Sequence, residues 1–210
     1  MLRVFFLQGG PLVWVLLAVG VTGLLVFLER LLHLHRAKIR SEDFLQGLFR
    51  NLEYGHVDES LKICDETPGP VAFLAKTAIL HRDSDSEAFK RAMDNAGRAE
   101  ISRMERRLVI IATTAQVAPL LGLLGTVLGL VRALLLMNQQ SPLVQFSDVS
   151  GWLMQALVTT ALGLMVAIPA YGGYNFLINK VEKIVLDMER AASEITAFLQ
   201  AARARQGAAR

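Results

Sequence analysis

A chain of 210 residues that is 53% hydrophobic, with a mean hydropathy of +0.40, is too apolar for an ordinary soluble domain, yet 20% of its residues are charged. Both hold because the two kinds are segregated: Pro11–Leu28, Leu108–Met137 and Gly151–Ile178 hold almost no charge, and each reaches or approaches the ~20 residues that cross a bilayer. The net charge of +3 flanks these runs, which argues for a membrane protein and against a nucleic-acid binder, and the single cysteine, Cys64, excludes an intrachain disulfide and a cysteine metal cluster.

Gly9-Gly10-Pro11 breaks structure ahead of the first apolar run. Arg3 before an apolar run has the form of a signal peptide, but no small-x-small cleavage site precedes Glu29-Arg30, so the run reads as a retained membrane helix. That helix is expected to continue through FLERLLHLHRAKI, with Glu29 and Arg30 marking the membrane exit. His33-x-His35 has no cysteine or carboxylate companions that would make it a metal site, and His56 and His81 are isolated.

The charged segment that follows reads as short helices and then a long one. Ser41 can cap a helix to about Tyr54, which Gly55 stops. Asp58–Glu66 is a short amphipathic stretch. Thr67-Pro68-Gly69-Pro70 is the clearest breaker, and Val71–His81 forms the next helix. Ser84-x-x-Glu87 is a capping box, and no breaker follows until Pro119. The spacing therefore predicts one helix from about Asp85 to Met137, polar in its first half and within the membrane in its second.

The segment Ala118–Leu130, APLLGLLGTVLGL, carries a stripe. Ala115, Pro119, Gly122, Thr126, Gly129 and Ala133 recur at steps of four and three and share one helix face. A soluble core helix would put its bulk on the buried side; a small-residue face suits a membrane helix that meets other helices very closely. Arg132, the one charge in this span, lies near its outer end and can snorkel. The loop NQQSPLVQFSDVSG contains no Lys or Arg, whereas 30–107 and the tail after Asn179 hold nearly all of them. The positive-inside rule then places those segments in the cytoplasm and the N-terminus and loop outside.

The third span has its own stripe: Ala156, Thr160, Gly163, Ala167 and Ala170. Pro169 is expected to bend it, and Gly172-Gly173 to loosen it beyond. Lys180–Gln200 is amphipathic and should continue as a cytoplasmic helix. The expected layout is an N-terminal segment and first span at 1–33, a cytoplasmic helical domain at 34–107, spans at 108–137 and 152–179 around an outer loop at 138–151, and a cytoplasmic helix at 180–210.

Two readings fit the stripes. One is close packing within a bundle, of which Gly125-x-x-x-Gly129 is a literal instance. The other follows from Thr126, Gln155, Thr159 and Thr160, which need partners in a dry medium. Three spans offer little interior, so these groups point to a ring-like homo-oligomer with a polar lumen. Ala115, Pro119, Gly122, Gly129, Ala156, Gly163 and Ala167 would form its small-residue face. Gln155 fits either a lumen group or a helix–helix hydrogen bond. Thr159, on a face next to that of Thr160, can also bond back to a carbonyl one turn earlier. No Asp, Glu, Lys or His occupies the centre of a span, so a titrating residue for ion movement would come from a partner. No catalytic constellation, metal set or cofactor motif appears, which argues against an enzyme.

PLLGLLGTVLGL, ALVTTALGLMVAIPA followed by Tyr174-Asn175, and FLERLLHLHRA together resemble the MotA/TolQ/ExbB proton-channel family, nearest its three-span ExbB/TolQ branch. The resemblance covers nearly the whole chain. It implies an all-α membrane protein with three transmembrane helices and long cytoplasmic helical extensions, assembled as an inner-membrane pentamer. It also implies an ExbD- or TolR-like partner in the lumen, whose membrane aspartate carries the proton, and a TonB- or TolA-like protein on which the motion acts. Thr126 and Thr160 match the family's pore-facing threonines, and Pro169 the proline of its AIPA motif. Where the family pattern EALxATAxGL has glutamate this chain has Gln155, which keeps size and hydrogen bonding but does not titrate. The alternative from another class is a non-conducting membrane scaffold that uses the stripes only for packing.

Overall fold

The computed structural model describes residues 10–37, 41–140 and 146–208, and every element among them is an α-helix: α1 Gly10–Ala37, α2 Ser41–Glu53, α3 Val57–Glu66, α4 Pro70–Leu80, α5 Ser86–Glu105, α6 Leu108–Gln140 and α7 Phe146–Ala208. They form two compact units, one of residues 1–30 with 107–176, the other of 31–106 with 177–210. The first nine residues, residues 141–145 of the outer loop and the side chains of His35 and Ser41 lie outside the described set, so the expectations placed on them have no counterpart here.

In the first unit, α1, α6 and the apolar part of α7 are long and apolar enough to cross a membrane. Their bulky residues face outward: Leu120 is 63% exposed, Leu134 64%, Leu157 66% and Ile168 70%. Hydrocarbon chains are as apolar as leucine, so nothing drives that bulk inward, and the small residues take the contact surface instead. Gly20 of α1 meets Val166, Gly23 meets Thr114, and Gly173 of α7 meets Phe27. The Glu29 carboxylate pairs with Arg107. α7 runs unbroken through Pro169 and Gly172-Gly173.

The second unit is built the soluble way. Leu177, Val181, Ile184, Met188, Ala191, Ile195 and Leu199 form a buried stripe along α7 at steps of four and three. Leu45, Leu48, Leu74, Ala75, Ala78 and Ile79 are also buried. Phe49 stacks on Phe198 with ring centroids 4.6 Å apart. The clearest sequence breakers are observed. Gly55, at φ 79°, ends α2 in a Schellman motif, with His56 N–H to Asn51 O at 3.0 Å and Gly55 N–H to Leu52 O at 3.1 Å. Gly69, at φ 136°, takes a conformation a side chain would resist, and Pro70 follows as the first residue of α4.

Two local expectations need correction. The N-cap of α5 is Asp85 rather than Ser84, and its side chain makes no capping bond; Ser84 N–H closes a turn onto His81 O at 3.0 Å instead. The single helix from Asp85 to Met137 is two helices, interrupted at Arg106-Arg107. Arg106 keeps helical angles (φ −48°, ψ −39°), but Ile110 N–H bonds Arg107 O, three residues back, so one tightened turn separates α5 from α6.

Cys64 is buried in α3. Desolvation, reinforced by the neighbouring Asp65 carboxylate and opposed by Lys76, pushes its thiol up to about 11.

Candidate functional site

The chemistry-bearing residues of the spans converge on the seam between α6 and α7. Its spacing is set by glycines. A Cβ on Gly122 would stand 3.1 Å from Thr159 O and 3.1 Å from Thr160 Cα. One on Gly163 would stand 2.6 Å from Ala118 O and 3.1 Å from Gly122 Cα, and one on Gly129 2.7 Å from Ala156 Cβ and 3.0 Å from Trp152 O. These are backbone-to-backbone approaches that only glycine permits, and they favour the weak Cα–H···O contacts common at close helix crossings.

The small-residue faces therefore meet each other inside one chain. Gly122, Gly129, Ala156 and Gly163 pack against each other across the seam, and Ala115 and Ala167 are buried within the chain as well. The reason is that two helices each lacking Cβ bulk gain most by closing on one another, and their own bulky sides keep the bilayer. Pro119 is only partly covered.

The hydroxyls divide. Thr160 donates to Gly122 O across the seam at 3.0 Å, with Ala156 O of its own helix at 3.4 Å. Thr126 donates to Leu123 O at 2.6 Å. Thr159 bonds back to Ala156 O at 2.8 Å and Gln155 O at 3.2 Å; it is 1% exposed and pressed against Gly125. Thr159 is thus packed within the chain, because the turn of ~100° per residue that keeps Thr160 at the edge carries Thr159 into the seam. Thr126, Gln155 and Thr160 remain half-buried.

With each threonine proton committed to a carbonyl, the oxygen lone pairs are what the hydroxyls present outward. Such a surface accepts hydrogen bonds from water or from a protonated group. It offers no proton of its own, since every titratable side chain is absent from the seam except Arg132 at its end.

Three features escaped the sequence reading. Arg132 lies over the Trp152 ring, 5.3 Å from its centroid, a cation–π contact joining α6 to α7. The aromatic at the start of the third span was its only signal. Buried Thr114 donates to Ile110 O at 2.9 Å and faces Gly23. Finally, a groove of about 290 Å³ opens between α1, α6 and α7, lined by Gly20, Phe27, Thr114, Met165 and Pro169 among others. Among the described residues no three His, Cys, Asp or Glu side chains gather as metal ligands.

The model of the MotA/TolQ/ExbB proton channel family matches residues 67–190, a stretch that contains α6 and the apolar half of α7. The chain is 28% identical over 213 residues to the biopolymer transport protein ExbB of Neisseria gonorrhoeae, covering 92% of this chain and 94% of that protein. It is 44% identical over 91 residues to the ExbB of Aquifex aeolicus, covering 43% of this chain and 61% of that protein. It is 38% identical over 109 residues to the Tol-Pal system protein TolQ of Haemophilus influenzae, covering 52% of this chain and 47% of that protein. The chain thus spans about half to three fifths of the length of the Haemophilus and Aquifex relatives.

Proposed function

Because this chain belongs to the MotA/TolQ/ExbB proton channel family, we propose that it is the ring-forming subunit of a motor driven by proton-motive force in a bacterial inner membrane. Copies of it, five by family resemblance, enclose the transmembrane helices of an ExbD/TolR-like partner. Proton flow through that assembly is coupled to work on a TonB/TolA-like protein. The N-terminus and the loop after α6 face the periplasm and the C-terminal tail the cytoplasm, a placement that the distribution of Lys and Arg supports.

The observation that supports this most directly is the pairing of an acceptor-bearing edge at Thr126, Gln155 and Thr160 with the absence of any carboxylate in the spans. A proton path of this kind is completed by a carboxyl from another chain, which the hydroxyl lone pairs and water hold in place. Gln155 supplies hydrogen bonding there but no second titration. The test is co-purification with an ExbD/TolR-like membrane protein followed by proton flux in liposomes. A stable monomer, with no partner-dependent flux, overturns the proposal.

The non-conducting scaffold has one observation in its favour: the small-residue stripes are already consumed within the chain. Thr160→Val separates the readings. The channel requires intact assembly with flux lost and Thr160→Ser restoring it; the scaffold leaves assembly and activity near wild type in both variants.

A further inference from the structure

Within the second unit, α7 and the end of α1 border a groove of about 380 Å³ whose floor and rim differ in kind. The floor is apolar: Leu34 is 3% exposed and Ile184 8%. The rim carries Lys180, Lys183 and Arg190 against one carboxylate, Asp187. Lys183 and Arg190 are exposed, and neither forms an ion pair with a described residue. The groove also has a definite address. Leu34 lies five residues beyond Glu29, where the first span is expected to leave the membrane, and Lys180 is the first charged residue after the apolar run of α7. Both residues that open the groove thus follow shortly after apolar runs long enough to cross a bilayer.

We propose that this groove binds the headgroup of an anionic phospholipid of the cytoplasmic leaflet. A soluble phosphate would use the cations but has no use for the apolar floor. An amphiphile uses both, its phosphate on Lys183 and Arg190 and its glycerol and upper acyl carbons over Leu34 and Ile184. Asp187 tunes the site: it disfavours a second phosphate and can accept hydrogen bonds from a hydroxylated headgroup, so a glycerol headgroup suits the rim better than a bare phosphate. The solvated alternative, a mere basic face, predicts neither a groove nor an apolar floor.

The test is native mass spectrometry of the purified full-length protein in detergent, titrated with dioleoylphosphatidylglycerol or dioleoylphosphatidylcholine. The structure predicts preferential retention of the anionic lipid. Each rim cation contributes about fivefold, so Lys183→Gln with Arg190→Gln weakens retention about 25-fold. The charge-matched control, Lys62→Gln with Lys90→Gln, retains lipid like wild type, and so does Lys183→Arg with Arg190→Lys. Millimolar glycerol 3-phosphate leaves the bound lipid in place. Equal retention of the two lipids, an unaffected double glutamine variant, or displacement by glycerol 3-phosphate would each overturn the assignment.

Discussion

Gly163→Ala probes the seam with a single methyl group. The added Cβ would stand 2.6 Å from Ala118 O, 3.1 Å from Gly122 Cα and 3.3 Å from Gly122 N. All three are backbone atoms, so no side chain can swing aside and the helices must part. Overpacking of this kind costs about 3 kcal/mol at its upper range. The better helix propensity of alanine returns about 1 kcal/mol. The net loss is about 2 kcal/mol, or roughly 4–8 °C in Tm for a chain of this size. Gly172 lies in the same helix, and a Cβ there would meet nothing within 4 Å, so Gly172→Ala keeps only the propensity gain and raises Tm by about 2–4 °C. The assay is thermal unfolding of both variants in one detergent, followed by circular dichroism and by size-exclusion chromatography. If Gly163 instead faced an open lumen, both substitutions would stabilise alike. Equal shifts of the same sign would therefore refute the intrachain seam.

Three further outcomes follow from the same structure. Thr160→Val leaves Gly122 O without its hydroxyl donor in a dry seam and should lower stability by about 1 kcal/mol, while Thr160→Ser stays within a few tenths of wild type in the same melts. Cys64, with its thiol raised to about 11 by burial, should resist maleimide at pH 7.5 until the protein is denatured. Because the folded state holds that proton where the unfolded state releases it, stability should be unaffected below pH 9 and decline as the pH climbs from 9 to about 11, with Cys64→Ala removing that component. Arg132→Ala should remove a cation–π contact worth about 0.5–1 kcal/mol and change the emission of Trp152, a change that Arg132→Lys should only partly reproduce.

The segregation of charge from apolar residues was enough to locate the three long apolar helices, because desolvation of Lys, Arg, Asp and Glu is the largest single cost a span faces. Gly55 and Gly69 were legible as stops because backbone sterics leave few other residues at positive φ. The break at Arg106-Arg107 carried no such mark: Arg106 stays in helical angles, and one shifted hydrogen bond makes the interruption. The stripes were legible as periodicity, but periodicity names a face and not what covers it. Gly122 and Gly163 fit a lumen or a mutual contact equally well in sequence, and the 2.6 Å approach to Ala118 O that makes them a mutual contact is visible only in three dimensions. Thr159 and Thr160 show the same limit, since adjacent identical residues differ only in where the helix turns them.

The hydrogen bond from Thr160 to Gly122 O, set among glycines in backbone contact, also fixes the mechanical character of the pair. A slip of α7 along α6 by one residue is a translation of ~1.5 Å with a turn of ~100°. Such a slip would drive the side chain of Leu162 or Leu164 into the space before Ala118 O that Gly163 now leaves open. The two helices are thus indexed to each other like meshed gear teeth. A load along either helix is therefore shared by both, and compliance has to be found at other surfaces.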